Sequence, residues 1–152
     1  MKSFIHGFLN NDELSRISLA IENAEKKTSG EIVVSIKGKR GLFQTGKTIR
    51  QLAEAEFKRL RMGNTRDKTG ILLYIVYKSR EFIVLADIGI HSITGESAWE
   101  NLRDLIKDHF KKGEFSGGII SAVNQMGEIL TLHFPILPGD TNELSNKVII
   151  RL

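Results

Sequence analysis

The chain contains no cysteine, which excludes disulfides, thiolate metal sites and a cysteine nucleophile. Its two prolines, Pro135 and Pro138, both fall late, so no proline interrupts regular structure before them. Aromatic residues are sparse, with one Trp, two Tyr and eight Phe, and they do not interleave with basic residues along a strand. A base-stacking platform needs that interleaving, so nucleic acid is not an expected partner. No stretch approaches the roughly 18 apolar residues of a membrane span. Asn10, Asn11, Asp12 and Glu13 follow the first residues where a signal peptide would have its apolar region, so no export signal is readable and the cytoplasm is the expected compartment. Charge of one sign is never massed: 22 basic and 18 acidic residues leave a net +4 spread along the chain, the pattern of a solvated surface.

What is present is a hairpin. Ile71 to Tyr77 and Phe82 to Ala86 are two short apolar runs around the polar break Lys78-Ser79-Arg80-Glu81. They are too short and too rich in Ile, Val and Tyr for buried helices, and their spacing predicts an antiparallel pair. Nearly every position is apolar, so both faces of the sheet should be covered by helices.

The rest of the 152 residues can be placed around it. A helix is expected over residues 10–28, with Asn10 as cap and Glu13 completing a capping box. Gly30 stops it, and Glu31 to Ile36 reads as a strand. A second helix starts near Thr45 or Thr48, with Gln51 in reciprocal position to Thr48, and ends at Gly63-Asn64. Ile88 to Gly95 is expected to be a loop. Ser97 is expected to cap a third helix and Ser116 a fourth, running to about Leu132. Lys147 to Arg151 is expected to add an edge strand. The order α-β-α-β-β-α-α predicts one domain over residues 1–152, with a core at 10–134 and a tail at 135–152. Its fold is a three-layer α/β/α sandwich with a small mixed sheet. The strand–helix–strand unit makes the first two strands parallel, and the hairpin makes the third antiparallel.

This topology gathers charge at two opposite rims. Lys37, Lys39, Arg40, Lys47, Lys78 and Arg80 share one rim; Glu31, Asp67 and Asp87 share the other. On the basic rim, Gly41-Leu-Phe-Gln-Thr-Gly46-Lys47-Thr48 matches the Walker A pattern between a strand and a helix, the context in which backbone amides cradle phosphates. The acidic residue needed to hold a nucleotide's metal is missing from the end of the parallel strand, and the alternative is a loop whose Thr45 or Thr48 caps the next helix. On the acidic rim, carboxylates from separate loops suit a hard cation, Ca²⁺ or Mg²⁺. The alternative there is solvation, or pairing with Arg66 or Lys68. His91, in Gly89-Ile90-His91, is a candidate proton shuttle or ligand, the alternative being a lone loop histidine that is neither; if the domain is a phosphatase it is the natural general acid.

Ala24 to Val34, Met62 to Thr65, Gly70 to Tyr74, Arg80 to Val84, Asp87 to His91, Phe110 to Phe115 and Gly118-Ile119 form an ordered series of short motifs. Read in that order they resemble the TPM-domain family, whose members include thylakoid-lumen photosystem-repair proteins and many bacterial proteins. The ending His133-Phe134-Pro135 with Gly139 to Leu144 is similar to a soluble bacterial branch. Together these cover residues 3–148. The resemblance implies the sandwich fold, acid-phosphatase activity among plant relatives and divalent-cation binding by acidic loops. It carries the binding pattern onto Glu31, Asp87 and Gly89, with Asp67 in a variable loop. Ala86 stands where relatives often have Gly, and Ser145 where Pro is common. The Gly41 to Thr48 loop has no general counterpart.

Three function classes are therefore expected to compete. The first is an accessory domain binding a divalent cation and a protein partner without catalysis. The second is a metal-assisted phosphomonoesterase using Glu31, Asp67, Asp87 and His91. The third is nucleotide binding at Gly41 to Thr48.

Overall fold

The computed structural model describes residues 8–64, 69–138 and 148–151. Among them the chain forms β1 (Glu31–Lys37), β2 (Gly70–Val76), β3 (Glu81–Ala86) and β4 (Val148–Arg151). The helices are α1 (Asn11–Glu25), α2 (Ile49–Arg59), α3 (Ile88–Thr94), α4 (Glu96–Lys111) and α5 (Phe115–His133), with a 3₁₀ turn at Met62–Asn64.

The strands lie in the order β3-β2-β1-β4. β1 runs parallel to β2 and to β4, and β3 runs antiparallel to β2. This is the expected mixed sheet, with the anticipated fourth strand joining its far edge beside β1.

Alternation along each strand sends side chains to two cores. Ile32, Val34 and Ile36 of β1, with Ile71, Leu73 and Ile75 of β2, pack under α1, α4 and α5. On the other face Val33, Leu72, Tyr74 and Val76 pack against Leu52 and Ala53 of α2 and against Met62. A sheet buried on both sides has no polar face to show, which explains the near-continuous apolar runs of β1 and β2.

Two of the expected caps hold. Asn10 with Glu13 and Thr48 with Gln51 both form reciprocal capping boxes. Two do not. Gly95, at φ 77°, sets the start of α4 at Glu96, a left-handed conformation that excludes Ser97 as cap. α5 begins at Phe115, and the Ser116 hydroxyl donates to Glu13 Oε2 at 2.8 Å instead of capping its own helix. The first helix ends at Glu25, short of residue 28, because Thr28 pairs with Pro135 and its hydroxyl donates to the Phe134 carbonyl at 2.5 Å.

The expected loop over Ile88 to Gly95 is the short helix α3. Asp87 is its cap, with Oδ1 accepting from the Ile88 amide at 2.8 Å, and buried Ile90 anchors it in the larger core. Seven residues carry too little periodicity to register as a helix in the sequence. No described helix is long and apolar enough to cross a membrane.

Candidate functional site

β1 faces α2 through Val33 and Ser35, so two-residue alternation gives Glu31 the same face. Gly70 on β2 and Asp87 just beyond β3 fall on that face by the same count. Glu31 is in register with Gly70, and the Asp87 amide donates to the Gly70 carbonyl at 2.8 Å. Glu31, Gly70 and Asp87 thus form one row across three strands, the outer two separated by two strand spacings, about 9–10 Å between Cα atoms. The middle position has no side chain. Met62 packs over this position, its Cε 3.2 Å from where a Gly70 Cβ would lie.

The two carboxylates differ in state. Glu31 is 2% exposed and is not free. Asp87 uses Oδ1 to cap α3, while its Oδ2 is buried with no hydrogen-bond partner among the described residues. Asp67 lies outside the described residues. Among the described residues no group of three or more His, Cys, Asp and Glu is gathered tightly enough to hold a metal ion.

His91 is one helical turn beyond Asp87, and its amide bonds to the Asp87 carbonyl at 3.0 Å. Its imidazole is exposed, with Nε2 3.6 Å from Glu96 Oε2. Glu96 also accepts from Arg103 at 2.9 Å, which, ahead of the charges of Arg103 and His91, holds its carboxyl below the usual range. His91, Arg103, Arg50, Glu54 and Trp99 line a polar cleft of about 360 Å³ along the last residues of β3.

The basic rim is built differently from a phosphate cradle. Three amides of the loop bond within it: Gly41 to Gln44 Oε1 at 2.7 Å, Gln44 to the Gly41 carbonyl at 3.1 Å and Lys47 to the Gln44 carbonyl at 3.1 Å. Thr48 is a helix cap, its amide donating to Gln51 Oε1 and its hydroxyl accepting from the Gln51 amide. Arg40 draws the carbonyls of Gln44 and Lys47 toward its guanidinium at 2.7 and 2.5 Å. Leu42 and Phe43 at the tip are 89% and 92% exposed. The geometry opposes nucleotide binding here and favours the reading of Thr48 as a cap.

Sequence reasoning missed α3 and the structural work of Asp87 as its cap. The signal was available, because aspartate is among the preferred N-caps. It also missed that Arg40 would hold the glycine loop from inside, which no linear pattern encodes.

The fold and rim define a three-layer α/β/α domain with a β3-β2-β1-β4 mixed sheet whose carboxylates stand at the entry end of its parallel strands. The family model described as the TPM domain matches residues 5–129, and the chain belongs to that family. Its fold is similar to the NMR structure of the BA42 protein from the psychrophilic bacterium Bizionia argentinensis, with a TM-score of 0.85 and 31% identity over 94% of this chain and 95% of that one. No curated protein matches the chain.

Proposed function

We propose that this chain is a TPM-type accessory domain that binds a divalent cation, Ca²⁺ or Mg²⁺, and a protein partner at the carboxylate rim, without catalysis of its own. The observation that carries this reading is Asp87 Oδ2, buried and without a hydrogen-bond partner among the described residues. A buried carboxylate oxygen left unpaired is costly, and a hard cation is one group that satisfies it. The donor chemistry fits, since Asp87, Glu31 and Asp67 offer only oxygen. These residues would hold the ion, which would supply fixed positive charge linking the ends of three strands. The partner reading is supported by Ile88 and Ile93, large apolar side chains 71% and 54% exposed on α3 beside Asp87.

The test is melting temperature against Ca²⁺ and Mg²⁺ for the wild type and Asp87→Asn. Asparagine keeps the cap of α3, whereas alanine would also remove the cap at a cost of about 1 kcal/mol. Wild type should gain about 2.7 kcal/mol at a hundredfold excess of ion over its dissociation constant. Asp87→Asn should lose most of that gain. A wild-type melting temperature indifferent to both ions sinks the proposal.

A metal-assisted phosphomonoesterase is the second reading, favoured by the cleft that joins His91 with Arg50 and Arg103. His91 would act as general acid toward the leaving alkoxide, and the arginines would attract the phosphate. Turnover of p-nitrophenyl phosphate that disappears in both Asp87→Asn and His91→Gln would promote it over the accessory domain.

A further inference from the structure

At the opposite end of the sheet from the carboxylate rim, the hairpin turn and the last turns of α4 enclose an apolar pocket of about 280 Å³. Its wall is aromatic. Phe8 meets both Tyr77 and Phe115 at 4.7 Å with tilted rings, while Phe110 meets Phe82 edge-on at 5.6 Å and Phe115 at 5.5 Å. The volume lies at the small end of ligand pockets, with room for one ring and a short chain.

Three cations line the same pocket: Arg80 from the turn, and Lys107 and Lys111 one helical turn apart on α4. All three are exposed, and none forms an ion pair among the described residues. The one carboxylate in the lining, Glu81, is already held by Arg40 at 2.9 and 2.8 Å and by the Ser79 hydroxyl at 2.6 Å. The uncompensated charge of the rim is therefore positive. Arg80 also sits at φ 55°, the left-handed turn position that favours glycine, so its side chain is carried there at a backbone cost.

We propose that this pocket binds a small amphiphilic carboxylate, its apolar body among the phenylalanines and its head against Arg80, Lys107 and Lys111. The chemistry follows from the combination: an aromatic box selects an apolar body, and three cations around it with no ion pair among the described residues select an anionic head, which a carboxylate supplies.

The experiment titrates the full chain with 4-phenylbutyrate and, separately, with uncharged 4-phenylbutanol, following ¹H–¹⁵N shifts of Tyr77, Phe82, Lys107, Phe110 and Lys111. The acid should bind about tenfold more tightly than the alcohol, the combined effect of a few exposed charge contacts. Lys107→Gln and Lys111→Gln should weaken the acid and leave the alcohol unchanged. Arg80→Gly separates function from structure, because relief of the left-handed backbone should raise the melting temperature while acid binding weakens severalfold. Equal affinity for acid and alcohol, or acid binding undiminished in Arg80→Gly, overturns the proposal. So does an absence of shifts at these residues. Shifts at the same residues on simple dilution of the protein would give the face to a second copy of the chain and also overturn it.

Discussion

Arg40 and Glu81 meet in a two-pronged pair, Nε on Oε1 at 2.9 Å and Nη2 on Oε2 at 2.8 Å, that ties the glycine loop to the first residue of β3. Both side chains are largely withdrawn from solvent, so the pair is less screened than an ordinary surface bridge. Hydrogen bonding from Arg40 holds the Glu81 carboxyl below its usual range, with burial opposing and the Ser79 hydroxyl assisting. A carboxylate depressed in the folded state contributes stability above its unfolded value, about 4.3, and that contribution is lost as pH falls through the lower folded value. Arg40→Met should therefore be less stable than wild type at neutral pH, with the difference shrinking below about pH 4.3. Its Gln44 and Lys47 amides should exchange faster, since the carbonyls that Arg40 gathers are released. Parallel acid-unfolding curves would remove the pair from the account.

The smaller core carries a second titration, of opposite consequence. Tyr74 is buried against α2 at 3% exposure, and burial, followed by the Glu56 charge, pushes its phenol above the usual value. Glu56 is itself buried, bonded to the Ser35 hydroxyl at 2.6 Å and to Arg59 at 2.9 and 3.0 Å. A phenol raised on folding costs nothing below its unfolded value of about 10, and stability is lost as pH rises from there toward the folded value. Tyrosinate absorbance should show a late step that Tyr74→Phe abolishes. The alkaline limb of the wild-type stability curve should flatten in the same variant. A late step surviving in Tyr74→Phe would assign it elsewhere.

The sheet was readable because the runs of β2 and β3 are apolar at nearly every position, and a sheet sandwiched between helices is what tolerates that. Direction followed from connection length, since the helix between Lys37 and Gly70 forces a parallel pair and the turn at Tyr77–Arg80 an antiparallel one. Family membership was legible in scattered short motifs read in order. The placement of the candidate rim was half legible. Glu31 and Asp87 do share a rim, but nothing in the sequence says that Glu31 is buried or that Asp87 is engaged as a helix cap. Those properties depend on Gly70, Met62 and α3, which bring no chemical signature of their own. The aromatic pocket was invisible for a related reason: Phe8, Tyr77, Phe82, Phe110 and Phe115 come from four separate segments and read singly as core.

Gly127 marks where α5 presses on α1. A Cβ there would lie 2.8 Å from the Cβ of Ala24 and 3.5 Å from its Cα. Alanine in a helix interior normally gains up to about 1 kcal/mol over glycine. Here the obstacle is the Ala24 Cβ, which has no torsion by which to swing aside, and overpacking costs about 1–3 kcal/mol. Gly127→Ala should be net destabilising, by up to about 2 kcal/mol in urea unfolding. Gly30→Ala meets only the Leu130 side chain, with Cδ2 at 2.7 Å, so Gly30→Ala combined with Leu130→Val should recover part of the loss. A stabilised Gly127→Ala would show that the two helices are not held this closely.

Glu13 works at both ends of its carboxylate. Oε1 accepts from the Asn10 amide at 2.9 Å in the capping box, and Oε2 accepts from Ser116 of α5 at 2.8 Å. The Asn10 amide and then the Ser116 hydroxyl hold its carboxyl below the usual range against a smaller opposing effect of burial. The start of α1 is therefore fixed to the start of α5 through one side chain. Asn10→Ala should cost about 1 kcal/mol. Ser116→Ala should cost about 0.5–1.5 kcal/mol, the usual range for one hydrogen bond. Because Asn10 Oδ1 holds the Glu13 amide while Ser116 holds the Glu13 carboxylate, both variants act on one residue, and the double variant should depart from the sum by more than the roughly 0.3–0.5 kcal/mol typical of independent sites. The Glu13 pKa, read by NMR, should rise in Ser116→Ala, which removes a donor to its carboxylate, and move less in Asn10→Ala, which keeps the backbone amide that donates to Oε1. Strict additivity with an unmoved Glu13 would mean that the two helix ends are held by their cores alone.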